Sequence, residues 1–454
     1  MTWFSRAVGN VGSPLDLAVL RIVVPLVVLE TPEFADIVEY GSIPAALRVP
    51  PIGFETILTL VPPTPEVALI IKFALGISCI SSILGCWTKI SLTIASISAL
   101  YGLGLAQTQG TVTHNHHLVW LLALLAASPC ADVLSIDSRR KGRREGQTIS
   151  ILAPPTRAHT LTICTAWSLI AVVFFFPGLW KVYTGGLAWM SAENLRMQMY
   201  WKWYQFGEVP FFRLDAYPQL CRALAAVAPA FELTFGPLVF FRKTRPLALS
   251  GVIGFHLFTR YFLFIRYPSL WMCYVMFIDW RAVWCYVQDK PNASEAKRST
   301  ASNEKDLWPI RLVGACLLVG AILFGARDIQ RGWPFACYPT FEYAPAPLIS
   351  RLYVELVFDD SRVEELVLPR ETSASRRQKQ WGISWSLAGL TDSPSRERLR
   401  SFVDELEKRP ELAERIKAAR KIRISRAAYS VFPEDWGKAP KKKDRLAEWA
   451  TEER

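Results

Sequence analysis

Glu66-Val67-Ala68-Leu69-Ile70-Ile71-Lys72-Phe73-Ala74-Leu75-Gly76-Ile77-Ser78-Cys79-Ile80-Ser81-Ser82-Ile83-Leu84-Gly85-Cys86 decides the fold class. A helix crosses the hydrocarbon of a bilayer with about 20 predominantly apolar residues, and this stretch supplies them. Outward from it, similar runs occur at about 15–34, 90–107, 115–131, 160–180, 219–241, 246–266, 268–287 and 309–326. The chain of 454 residues is 51% hydrophobic and 20% charged, with a mean hydropathy of +0.20. Average soluble domains carry about 25% charge. Because the apolar excess is confined to runs that stop near residue 326, a single soluble globule, a disordered chain and a disulfide-stapled mini-protein are all excluded. The expected architecture is an all-α polytopic membrane bundle of about nine transmembrane helices with a small C-terminal α+β soluble module. Its parts are a transmembrane domain over 1–290, a basic linker with the last span over 291–330, and the module over 331–454.

The formal charge of +12 does not point to nucleic acid, because the basic residues lie in short loops between apolar runs. That pattern sets membrane orientation. Ser138-Arg139-Arg140-Lys141-Gly142-Arg143-Arg144-Glu145 is the strongest basic loop and is placed in the cytoplasm. Alternation puts Arg6, Lys89, Arg242, Lys243, Arg245, Lys290, Lys297, Arg298 and Lys305 on the same side. The N-terminus is then cytoplasmic and the C-terminal module exoplasmic, with outer loops at 35–65, 108–114 and 181–218. A bacterial cytoplasmic membrane fits this arrangement. The first apolar run holds Asp16 and Arg21 and lacks a small-residue cleavage site, so it does not read as a signal peptide. The nine cysteines form no CxxC, which gives neither a zinc ribbon nor a thioredoxin-type centre. Most read as small buried hydrophobes.

Loop 181–218 is long for a connection in a compact bundle. It is rich in rings: Trp180, Tyr183, Trp189, Tyr200, Trp201, Trp203 and Tyr204. Leu195 to Trp201 can form a helix along the outer surface, and a plain aromatic belt reads equally well.

Ionisable groups inside a membrane are costly and tend to be functional, so three stretches stand out. Thr113-His114-Asn115-His116-His117-Leu118 carries three of the five histidines. One helical turn brings His114 and His117 to one face, but no further metal-ligand spacing accompanies them. The plainer reading is interfacial histidines bonded to loop carbonyls. Phe176-Pro177-Gly178-Leu179-Trp180-Lys181-Val182 breaks or kinks the end of the fifth span and places Lys181 at the outer interface. A lysine there is either a snorkelling anchor or, if buried, a neutral amine able to act as a base. Gly254-Phe255-His256-Leu257-Phe258-Thr259-Arg260 puts His256 and Arg260 on one helical face in mid-span, with Glu232 as a candidate partner. A purely structural buried network is the alternative. Together, an amine, imidazoles and an aromatic-lined cavity suit proton abstraction from a lipophilic cosubstrate.

At these residues the sequence resembles the vitamin K-dependent gamma-carboxylase superfamily, whose membrane part is the HTTM domain. The segments that carry the resemblance are Ser13 to Ile22, Asn115-His116-His117 followed by Ala131 to Asp137, Gly178-Leu179-Trp180-Lys181-Val182 with Trp189 beyond it, and Phe255-His256-Leu257. The likeness covers about residues 13–290. It implies that Lys181 is the base that starts oxygenation of reduced vitamin K or a related quinol. His116 would stabilise charge or assist the second half-reaction, and His256 would support the quinol pocket. His117, Asn115, Trp180 and Arg260 would line the cofactor site. In the animal carboxylase, oxygen addition yields an alkoxide that takes a glutamate gamma-proton for carboxylation by CO2, so O2 and CO2 are the implied cosubstrates. The implied partners are the lipid bilayer, the lipophilic quinone and a protein or peptide substrate.

Two departures qualify that carry-over. Thr259 stands where the animal enzymes carry asparagine. The large exoplasmic domain that recognises glutamate and propeptide is replaced after residue 330 by a compact module. Alternation at Leu352, Val354, Leu356 and Phe358 predicts a strand. Charged helices are predicted at about 393–408 and 410–420, and a short strand at Ile422–Arg426. The tail Lys441-Lys442-Lys443-Asp444-Arg445 reads as solvated, or as a lipid-headgroup contact. The chain therefore reads as a quinol-handling membrane enzyme or, alternatively, as a non-catalytic membrane protein for maturation, export or partner binding. Transport is the weakest option, because no internal repeat is visible.

Overall fold

The computed structural model describes residues 12–110, 115–288, 304–338, 345–366, 383–384, 386–388 and 394–450. His114, Lys290, Lys297 and Arg298 lie outside them.

Helix α1 (Pro14–Glu30) opens on a capping box: Ser13 Oγ accepts from the Asp16 amide, and the Asp16 carboxylate accepts from the Ser13 amide. Asp16 also accepts from the Trp280 amide at 2.9 Å. Arg21 donates to the Leu134 carbonyl at 2.6 Å. The two ionisable residues of the first apolar run thus tie distant segments together. Helix α2 (Pro65–Leu84) starts at a Thr64 cap and stops at Gly85, whose φ of 66° is open to glycine. Helix α3 (Thr88–Ala106) follows directly. Its first turn is capped from outside by Asp137 of the basic helix α5 (Ile136–Glu145), which accepts from the Trp87 and Thr88 amides at 3.1 and 2.8 Å. Between them in sequence, α4 (His116–Ala126) runs through the middle of the bundle with nearly every side chain buried.

Helix α6 (Arg157–Trp189) does not end at Pro177 and Gly178 as the sequence led us to expect. It continues for three more turns, and its backbone leaves helical geometry only at Gly186. Helices α7 (Ala192–Phe206), α8 (Pro218–Phe240), α9 (Arg245–Phe262), α10 (Pro268–Cys273), α11 (Trp280–Val287) and α12 (Glu304–Ala326) follow.

Among the described residues, five helices are long and apolar enough to cross a membrane: α2, α3, α6, α8 and Leu307–Ala326 of α12. The other four of the nine expected spans fall short of that length or apolarity, each for a local reason. Helix α1 is 17 residues and α4 only 11. Helix α9 reaches 18 residues, but Arg245, His256 and Arg260 dilute its apolar character. The stretch 268–287 is cut into short pieces, starting at Pro268 and restarting at Asp279, whose side chain caps α11.

The two ends of the bundle gather different segments. One gathers Asp16, Gly85, Asp137 and the basic α5, together with Ala153, whose carbonyl accepts from Arg281. The opposite end carries Val49, Ile52, Gln109 and the segment after α12, joined by bridges Val49↔Gln109 and Ile52↔Gly332.

The C-terminal module is a four-stranded antiparallel sheet in the order β2-β1-β3-β4, formed by β1 (Leu348–Val357), β2 (Val363–Glu365), β3 (Lys421–Ser430) and β4 (Lys442–Ala450). Helices α13 (Arg396–Glu407) and α14 (Pro410–Ala418) bury Leu399, Phe402, Val403, Leu412 and Ile416 against Val354, Leu356, Ile422 and Ile424. The basic tail is exposed at Lys441, Lys442, Lys443 and Arg445, as the solvated reading expects, but it is also ordered. It starts the edge strand β4, where Lys443 pairs with Glu355 at 2.5 Å and Trp449 buries beside Ile422.

Helix α7 joins module to bundle. Leu195, Met199, Tyr200 and Trp203 form a second core with Ile349 and Val431. The Arg351 guanidinium lies 4.4 Å over the Tyr204 ring. The expected surface helix is therefore covered, which removes the plain aromatic-belt reading for this stretch. Behind it, Asp215 accepts from Arg213 at 2.8 and 2.7 Å and from the Tyr200 hydroxyl at 3.0 Å. Burial works against ionisation of Asp215, but these donors outweigh it and hold the carboxyl below its usual range.

Candidate functional site

Helices α6 and α8 pack face to face because Phe174, Gly178 and Lys181 recur at four and three residues on α6, and Glu232, Phe235 and Val239 recur similarly on α8. All six are buried. Gly178 allows the close approach: a Cβ there would stand 2.8 Å from the Glu232 Cβ. Directly beside it, Lys181 Nζ donates to both Glu232 carboxylate oxygens, at 2.5 and 2.7 Å. Both side chains are 3% exposed, so this pair is dry. The turn at Gly186 folds Trp189 back until its ring lies 5.2 Å from the Lys181 ammonium. Lys181 is therefore not a snorkelling anchor. Glu232, thought to serve His256 and Arg260, is its partner instead.

His256 sits in an aromatic cage of Phe174, Phe255, Tyr267, Trp271 and Tyr274, with ring centroids 5.4–6.5 Å away. Its Nε2 bonds the Tyr274 hydroxyl at 2.7 Å, while Nδ1 is buried without a hydrogen-bond partner. The Trp271 indole nitrogen beside it is in the same condition. Tyr267 lies between this cage and the lysine pair, 5.8 Å from His256 and within electrostatic reach of Glu232. Arg260 does not join His256; it is exposed, one turn further along α9.

The Asn-His-His turn forms a second cluster. Asn115 hydrogen-bonds the buried Glu33 side chain. His116 and His117 are fully buried at the start of α4. His116 Nε2 bonds the Gly332 carbonyl at 3.0 Å, and His117 Nδ1 bonds the Tyr338 hydroxyl at 3.1 Å. The first of these bonds matches the plainer reading of histidines held by loop carbonyls. Trp180 belongs to neither cluster, since its indole donates to the Gly325 carbonyl and ties α6 to α12. Among the described residues, no group of three or more His, Cys, Asp or Glu side chains could hold a metal.

Several site members escaped the sequence reading. Glu33 ends the first apolar run, where an acidic residue deserved the same weight as Arg21. Tyr267, Trp271 and Tyr274 lie in a stretch whose apolar run hides them, and Tyr338 lies beyond the last apolar run.

These observations define a multi-helix membrane protein with ionisable groups buried at helix contacts and a small C-terminal sheet. The HTTM domain model matches residues 13–284, more than half of the chain, and the protein belongs to the HTTM domain family. No curated protein and no solved structure matches it.

Proposed function

We propose that this protein is a membrane-embedded enzyme that oxygenates a lipophilic quinol, with Lys181 and Glu232 together as the base. The observation that carries the reading is the dry Lys181–Glu232 pair beside a cage of rings that leaves His256 Nδ1 without a hydrogen-bond partner. An aromatic wall with two unmatched polar atoms, His256 Nδ1 and Trp271 Nε1, suits a flat apolar ring bearing hydroxyl groups.

The pair alters the mechanism that the resemblance implies. A lone neutral amine is not what Lys181 offers. The pair has no net charge, because one proton lies between amine and carboxylate. It can accept one more, ending protonated at both Nζ and the carboxyl, with the positive charge offset by the quinol anion. The low-dielectric setting strengthens that attraction. Oxygen then converts quinol to epoxide and water, and coupling to CO2 would carboxylate a peptide glutamate. His256 orients the quinol, fixed in turn by the Tyr274 hydroxyl. Orientation of the basic α5 end toward the cytoplasm is part of the same proposal and follows the positive-inside rule.

The test is epoxide formation by purified protein given reduced naphthoquinone and oxygen. Wild-type turnover, with loss of at least 100-fold in Lys181→Ala and Glu232→Gln, is the expected result; positioned proton transfer contributes about 10²–10⁴-fold. Equal turnover by Lys181→Ala removes the pair from the mechanism. No product from wild type favours a non-catalytic role in maturation, export or partner binding.

A further inference from the structure

The stretch Ile329–Tyr338 lies beyond the matched domain, yet it is threaded into the bundle. The Ile52 amide donates to the Arg331 carbonyl, the Trp333 amide to the Ile52 carbonyl, and the fully buried Trp333 indole to the Leu100 carbonyl at 2.7 Å. The Trp120 indole donates to the Pro334 carbonyl at 2.8 Å. The His116 ring packs at a tilt against Trp333 and Tyr338, with centroids 4.8 and 5.3 Å away. This strap reaches both histidines of α4.

Each contact has a fixed direction. A carbonyl oxygen carries no proton, so His116 Nε2 must donate to Gly332. In the neutral ring the lone pair then resides on Nδ1. Asn115 supplies no side-chain cap to α4, so the first amides of the helix need another acceptor. The Tyr338 oxygen takes that place, accepting from the His117 amide at 3.3 Å and from the His116 amide. With two amide donors on that oxygen, the 3.1 Å bond to His117 Nδ1 is best made by the hydroxyl proton. In a neutral ring His117 then carries its own proton on Nε2.

We propose that Gly332 and Tyr338 are positioning residues, supplied from outside the shared domain, that lock both histidines in the Nε2–H tautomer and make His116 Nδ1 the basic nitrogen of the cluster. What that nitrogen does in turnover rests on the quinol reading. The ring states themselves do not, and they are measured without substrate.

The experiment is nitrogen-15 NMR of histidine-labelled full-length protein in lipid nanodiscs at neutral pH. With five histidines in the chain, His116→Gln and His117→Gln assign the two signals. Both rings should show a protonated Nε2 and a bare Nδ1. Tyr338→Phe should release His117 into a tautomer mixture while His116, still held by Gly332, stays unchanged. A wild-type His116 ring protonated at Nδ1, alone or together with Nε2, overturns the proposal and needs no variant. So does a His117 signal unmoved in Tyr338→Phe.

Discussion

Lys181 and Glu232, 51 residues apart in sequence, meet through both carboxylate oxygens at 2.5 and 2.7 Å where α6 crosses α8. Buried ion pairs contribute less to stability than their geometry implies, because desolvation offsets the attraction, while loss of one partner leaves an uncompensated charge. Lys181→Met alone should therefore destabilise the protein by about 3–5 kcal/mol. Lys181→Met with Glu232→Leu should recover most of that loss. Thermal unfolding in nanodiscs, run as a double-mutant cycle, measures it. A double variant no more stable than the single one contradicts the pairing.

Gly178 makes the crossing close. Gly178→Ala places a Cβ 2.8 Å from the Glu232 Cβ and 3.2 Å from the Leu233 amide nitrogen. Backbone and a helix-borne Cβ cannot swing aside, so the helices must part. The expected cost is about 1–3 kcal/mol, and quinol turnover should fall with it. Gly254→Ala on α9, where an added Cβ meets nothing within 4 Å, is the control and should be silent.

Asp215 gives a pH-dependent term. Its folded carboxyl is depressed by Arg213 and Tyr200 below the ordinary value of 3.8, against the opposing effect of burial. Its contribution is therefore complete above the unfolded value and is lost as pH falls through the folded one. Asp215→Asn should destabilise the protein at pH 7 by about 1.5–3 kcal/mol, the range for hydrogen bonds to a charged group, and this reads as a lower Tm. The gap to wild type should close as pH drops below 3.8. A gap that persists there would assign the effect to shape rather than charge.

Much of the bundle was legible in the sequence because apolar length is a direct reading of hydrocarbon thickness. The runs around Leu75, Leu92, Val173, Phe235 and Leu317 became the five long helices. What the apolar runs did not reveal is how long and how continuous each helix is. The residues of α4 are apolar because protein surrounds them on all sides, and composition alone does not separate that setting from lipid. Lys181 and His256 were recognisable as ionisable groups among rings. Their partners were not, since Glu232 lies one helix away from its lysine and nothing in the local pattern says which way it turns. Pro177 and Gly178 looked like a terminus, yet neither ended the helix. The proline is accommodated within α6, and the bare Cα of Gly178 serves the neighbouring helix.

The strap that ends at Tyr338 changes what counts as the working unit. A gene fragment cut where the shared domain stops, after residue 284, would encode the helix that carries His116 and His117 and the Glu33 that Asn115 bonds, but not the Gly332 carbonyl and Tyr338 hydroxyl that hold the two rings. The opening turn of α4 would lose its acceptor, and two imidazoles would face lipid or water without a fixed proton. What settles how these histidines are held therefore lies in the part of the chain beyond the shared domain.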